Sequence, residues 1–245
     1  MPKKAQVTAF IIVGVVLLII IALVLSFRFG LFEKKIVEEE VEIHISEEFK
    51  PFAENIKKCI EEFAFNTVMN FGYTGFCFDC QKSKIEFNWI NVTLYTTNEI
   101  GTIEDWQAQI SDHIKNNLQK QCVVNTSASG IKVSYGTPDV KTKIEPTRVF
   151  VEIDWPISFE KGDVKEEINK FTINVHTRLG ELNSILPNLI SEILKDPVCV
   201  SCIGEYASKN DLIVQSASQN KHKIYIILAK SRTEGEQPYY VYVGK

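Results

Sequence analysis

The chain is short of the residues that assemble chemistry. It has only four histidines in 245 residues, His44, His113, His176 and His222. No two of them stand at the HxxxH or HExxH spacing that would put a pair of imidazole ligands on one helical face. Glycine-rich phosphate loops are missing: Gly72 and Gly75 merely flank Tyr73-Thr74, and no GxSxG elbow occurs. Lysine and arginine form no long stripe and the net charge is only −4, so the electrostatic footprint of a nucleic-acid binder is absent. Glu152 and Asp154 fall on the polar side of an alternating segment, where solvation is their ordinary role. No catalytic constellation emerges from these spacings. The one acidic run, Glu33 with Glu38-Glu39-Glu40, reads as a solvated stalk.

What the sequence does have is an apolar run near its start. Lys3 and Lys4 precede Ala5-Gln6, and residues 7–27 are then apolar except for Thr8 and Ser26. At 1.5 Å rise per residue this segment covers about 31 Å, the thickness of a bilayer's hydrocarbon core. A cleavable secretory signal would have an apolar stretch of roughly 7 to 15 residues ending in small residues. Here Phe27-Arg28-Phe29 stands in place of an Ala-x-Ala site. A membrane-spanning helix over 7–27, in contact with lipid, is expected.

Lys3-Lys4-Ala5-Gln6-Val7-Thr8 ahead of that helix resembles the archaeal class III signal, the type IV pilin-like leader. The resemblance covers about the first 25 residues. It implies cleavage between Ala5 and Gln6 on the cytoplasmic side, with the helix retained on the mature protein. The glutamate that many pilins place five residues into that helix is Phe10 here, which favours anchoring over filament packing.

Basic residues flank both ends of the run, with Arg28, Lys34 and Lys35 after it, so charge counting alone leaves orientation open. Six cysteines and two glycosylation sequons, at Asn91 and Asn125, suit an exterior location for the chain beyond residue 27. The expected organisation is a cytoplasmic leader at 1–6, a span at 7–27, a stalk at 28–46 and an extracytoplasmic domain at 47–245, with a possible internal break near 125–130. Other cell-envelope proteins are the expected partners.

The exported part reads as α+β, a mainly antiparallel sheet packed by about three helices. Ser46-Glu47-Glu48 offers an N-cap and first-turn acids for a helix over 49–71, with Gly72 as its stop. Between Lys84 and Thr96 the apolar phase shifts after Trp89, as in a strand with a bulge or bend. Thr102 with Glu104 and Asp105 opens a helix whose stripe is Trp106, Ile110, Ile114 and Leu118, ending near Cys122. Val149, Val151, Ile153, Trp155, Ile157 and Phe159 alternate as a half-buried strand, with Pro156 marking an edge or bulge. Lys161-Gly162-Asp163 turns the chain into a returning strand through Phe171, Ile173 and Val175. A third helix carries Leu182, Ile185/Leu186, Leu189/Ile190 and Ile193/Leu194, and strands near 211–216, 223–229 and 238–243 complete the sheet.

The cysteines are the one set that could carry chemistry. Cys77 and Cys80, and Cys199 and Cys202, are two CxxC pairs, while Cys59 and Cys122 lie on or at the ends of the two early helices. Disulfides, a Zn²⁺ site built from Cys77, Cys80, Cys199 and Cys202, and thiol redox chemistry all remain open. The 118 residues between Cys80 and Cys199 far exceed the usual spacing of a zinc site. The disulfide expectation is Cys59 with Cys122, and the CxxC cysteines paired among themselves. Cross-pairing of the two motifs would staple the early loop to the late sheet. Aromatic residues at Phe76, Phe78, Tyr239, Tyr240 and Tyr242 are candidates for a recognition patch.

Overall fold

A computed structural model describes residues 45–78, 82–87, 89–124, 130–196, 199–219, 222–229 and 239–243. The leader, the apolar run at 7–27 and the stalk up to residue 44 lie outside the described residues, as do Cys80 and Asn125. Among the described residues no helix is long and apolar enough to cross a membrane. Ile43–Lys245 forms one compact unit, and residues 125–129, where an internal break is expected, lie outside the described residues.

The domain is α+β, with four helices and two sheets among the described residues. Helix α1, Lys50–Tyr73, has Pro51 in its first turn and Phe49 as an N-cap without a side-chain bond. Ser46 is therefore not the cap. Its carbonyl accepts from Phe49 and Lys50, closing a turn ahead of the helix. Proline's missing N–H and fixed φ are best tolerated in a first turn, and this sets the start here.

The end of α1 also differs from expectation. Gly72 stays helical, and Gly75, at φ +75°, makes the left-handed exit. Phe76 N–H donates to Phe71 O at 2.8 Å and Gly75 N–H to Gly72 O at 3.2 Å. This is the paired Schellman pattern, which needs a positive φ one residue past the cap. The accompanying apolar contact is present too, with the rings of Phe71 and Phe76 edge to face at 6.2 Å.

Strands β1, Lys84–Phe87, and β2, Ile90–Tyr95, make an antiparallel hairpin in which Phe87 is paired with Ile90. The apolar phase shift thus marks a two-residue reversal rather than a bulge within one strand. Trp89 sits in that reversal at φ +68°.

Helix α2, Ile103–Gln121, begins at a complete capping box: Thr102 Oγ1 accepts from Asp105 N–H, and the Asp105 carboxylate accepts from Thr102 N–H at 2.8 Å. Its buried residues are the expected stripe of Trp106, Ile110, Ile114 and Leu118.

The second sheet is built on β5, Arg148–Lys161, whose residues Val149, Val151, Ile153, Trp155, Ile157 and Phe159 are all buried. Strand β6, Val164–His176, runs antiparallel along one edge of β5. On the other edge lie β4, Asp139–Glu145, which pairs with residues 148–154, and β3, Lys132–Tyr135, which pairs with residues 157–160. Pro156 falls in the interval between those two partners. The register with β6 also slips there, so that Trp155 and Pro156 oppose Asn169 alone. A residue without an N–H is accommodated in a central strand because the ladder is already interrupted at that point. Gly136 N–H still reaches Pro156 O at 2.7 Å, and Trp155 Nε1–H donates to Gly136 O at 2.9 Å.

Helix α3, Leu179–Lys195, buries Leu179, Leu182, Leu186, Leu189, Ile190 and Ile193, and helix α4, Val200–Lys209, packs beside it. The late strands β7, Leu212–Gln219, β8, His222–Ala229, and β9, Tyr239–Val243, do not extend the β5 sheet. They join the early hairpin in the order β1-β2-β9-β8-β7, with β2 and β9 parallel. One expected sheet is therefore two. α1 lies against α2, β6 and β9, while α3 touches β4, β5 and β9, so the helices tie the sheets into a continuous core.

Candidate functional site

The cysteines are the residues whose spacing points to chemistry, and the fold gives them unlike surroundings. Cys59 on α1 and Cys122, the C-cap of α2, are joined by a disulfide with Cα atoms 5.6 Å apart. Cys122 is only 2% exposed and belongs to the core. The bridge ties the middle of one helix to the end of the other across a separation of 63 residues. In the chain-entropy account, closing a loop of that length restricts the unfolded chain by about 4 kcal/mol.

Cys77 is also disulfide-bonded. Its expected partner, Cys80, lies outside the described residues. Cys77 is 3% exposed, in a loop lined by aromatic rings. Phe76 stacks on Trp106 with centroids 4.6 Å apart, and Phe78 lies 5.2 Å from Phe71 and 4.2 Å from His113. Phe63 stacks on the same imidazole at 6.5 Å. Of the candidate recognition patch, the part around Phe76 and Phe78 is packing: Phe76 is in the core and Phe78 is half-buried against it. Burial pushes the His113 pKa below its ordinary value. Phe78 N–H is held by Gln109 Oε1 at 3.1 Å, which fixes the loop to α2.

Cys199 and Cys202 are bonded to each other, three positions apart. Cross-pairing between the two CxxC motifs does not occur. These two sulfurs, being engaged in a bond, also offer no thiolate to a metal in this state. Among the described residues, no group of three or more His, Cys, Asp or Glu side chains is placed to hold a metal ion.

This second pair sits at the start of a helix. Cys199 is the N-cap of α4, and its Sγ accepts the Cys202 N–H at 3.2 Å. Ser201 Oγ lies 3.6 Å from the same sulfur. Cys199 is half-buried, whereas Cys202 is exposed and neighbouring Val200 is 77% exposed. A loop this short yields only about 2 kcal/mol of loop-closure stabilisation, roughly half that of Cys59–Cys122.

Of the sequon asparagines, Asn91 is exposed on β2 two residues from the hairpin tip. Its companion Thr93 is fully buried, with Oγ1 donating to Thr74 O at 2.9 Å. The residue that sequence reasoning passed over is Trp89. It is 94% exposed at the hairpin tip. The signal that could have found it is the apolar phase shift itself, since a two-residue reversal presents its loop side chains to solvent. On the same hairpin Tyr95 is buried, which raises its pKa, and its hydroxyl donates to Gly75 O at 2.6 Å. Lys82 lies 4.4 Å over the Tyr95 ring. That tyrosine is thus a packing element linking β2 to the end of α1.

No family model, curated protein or solved structure matches this chain.

Proposed function

We propose that this is a membrane-anchored, pilin-like cell-surface protein, held by a helix over residues 7–27, whose extracytoplasmic domain acts through structure or partner binding. The observation that carries the reading is the apolar run itself. It is long enough to span and preceded by Lys3-Lys4-Ala5-Gln6. The state of the cysteines supports the location, since every described cysteine is disulfide-bonded, as suits an oxidising exterior. The exposed Trp89 supports partner binding: an aromatic side chain at a loop tip supplies contact area at little conformational cost.

The test is direct. Membranes from expressing cells are fractionated, the protein is extracted in detergent and its N-terminal peptide is identified by mass spectrometry. Membrane-bound protein beginning at Gln6 is expected, with the domain removed by protease added to intact cells. A soluble protein that retains Met1 would overturn the reading. A second reading, thiol exchange, is favoured by one observation only, the environment of Cys199 and Cys202.

A further inference from the structure

Two described disulfides of this domain differ in the loop they close, in the burial of their second cysteine and in their place on a helix. Cys59–Cys122 closes a long loop, and Cys122 lies in the core. Cys199–Cys202 closes almost no loop, stands at the start of a ten-residue helix and has one sulfur in an exposed residue. Its sulfurs are not equivalent. Cys199 Sγ receives a backbone N–H from the first turn of α4 and has a serine hydroxyl beside it. A thiolate formed there gains a hydrogen bond and the favourable end of the helix dipole. Cys202 lies in the first turn of the same helix on its exposed side, where an incoming sulfur can approach. Exchange is fastest when the attacked sulfur is accessible and the departing one is the more stable thiolate.

We infer that Cys199–Cys202 is an exchangeable disulfide that takes two electrons from an exposed dithiol of a partner protein, with Cys202 the attacked sulfur and Cys199 the leaving group. A thiolate of the partner attacks Cys202 Sγ, an S–S bond forms between them, and the Cys199–Cys202 bond breaks. Cys199 leaves as the thiolate held by the Cys202 N–H. The partner's second thiolate then attacks its own sulfur in the mixed disulfide and expels the Cys202 thiolate. The partner is oxidised from dithiol to disulfide, the CxxC pair is reduced, and two protons pass to the two cysteines.

The experiment uses the full chain in detergent, with reduced glutathione as the probe thiol and a maleimide as a trap, then acid quench and peptide mapping. The expected product carries glutathione on Cys202 and maleimide on Cys199 of the same peptide. A graded dithiothreitol series should open this bridge at a reducing ratio at least about tenfold milder than Cys59–Cys122 requires. In the reduced pair, Cys199 should be alkylated faster than Cys202 although it is the more covered of the two. Glutathione on Cys199, faster alkylation of Cys202, or opening no earlier than Cys59–Cys122 would each overturn the inference. These outcomes are independent of the N-terminal test, so the anchored reading and the exchange reading can fail separately.

Discussion

His113 is a titratable group confined between aromatic rings. Phe78 stacks on it at 4.2 Å and Phe63 at 6.5 Å, and burial lowers its pKa in the folded state. The unfolded chain keeps the ordinary value of about 6.5 and so binds the proton at a pH where the folded domain does not. Above that value neither state is protonated and the residue exerts no pH-dependent effect. As the pH falls through it the unfolded state is favoured first, so stability declines until the folded pKa is also passed. A melting series from about pH 7.5 to 5 should therefore show a descending limb that His113→Gln flattens. An unchanged slope in that variant would assign the acid sensitivity elsewhere. Thr102 supports a second residue-scale expectation, because its hydroxyl accepts the Asp105 N–H at 3.2 Å. Thr102→Ala should cost about 1 kcal/mol in a urea titration, and Thr102→Ser should recover most of it.

Elements in this chain are legible where a local rule and a burial rule agree. Thr102 and Asp105 signal the start of α2, and the stripe from Trp106 to Leu118 is its buried face. Alternation from Val149 to Phe159 gives β5 for the same reason, since one face of that strand is buried throughout. Rules fail where a distant partner decides. Nothing local says that Tyr95 pairs with Val243, so the separation into two sheets could not be read from periodicity. Trp89 at φ +68° is likewise a disfavoured turn residue, and the reversal there resembles a bulge in the sequence pattern. Cys59 and Cys122 are legible as a pair because they lie on or at the ends of the two early helices and outside the CxxC motifs, whereas the surroundings of Cys199 depend on where α4 begins. Packing between elements makes its own demand at Gly180 on α3. A Cβ built there would stand 2.4 Å from Glu145 O and 2.7 Å from its carbonyl carbon, both backbone atoms of the turn between β4 and β5. Neither atom can rotate away. Gly180→Ala should destabilise the domain by about 1–3 kcal/mol, despite alanine's better helix propensity, because α3 must lift from that turn. A gain in melting temperature would show that the turn yields instead.

At the scale of the molecule, the question is how a domain with helices and strands drawn from both ends of the chain is held together. Its early hairpin pairs with its last strand, so much of the core forms only after long loops have closed. A covalent link made within the first half changes that problem. Cys59–Cys122 joins α1 to α2 and shortens the search for the remaining contacts. The chain-entropy account gives it about 4 kcal/mol, against about 2 for Cys199–Cys202. The Cys59→Ala/Cys122→Ala double variant should lose about that larger amount in urea, with a concurrent fall in midpoint by fluorescence and by far-ultraviolet circular dichroism. The Cys199→Ala/Cys202→Ala variant should lose at most about half as much. Comparing the pairs separates two origins of stability. If loop closure dominates, the two losses follow the logarithm of the separations of 63 and 3 residues, a ratio of about two. If packing around the sulfurs dominates, the buried Cys122 end carries the loss, and a Cys59→Ser single variant with Cys122 left in place as a free thiol should retain most of the stability of the intact bridge. Loss of the full amount in that single variant assigns the stabilisation to the covalent link.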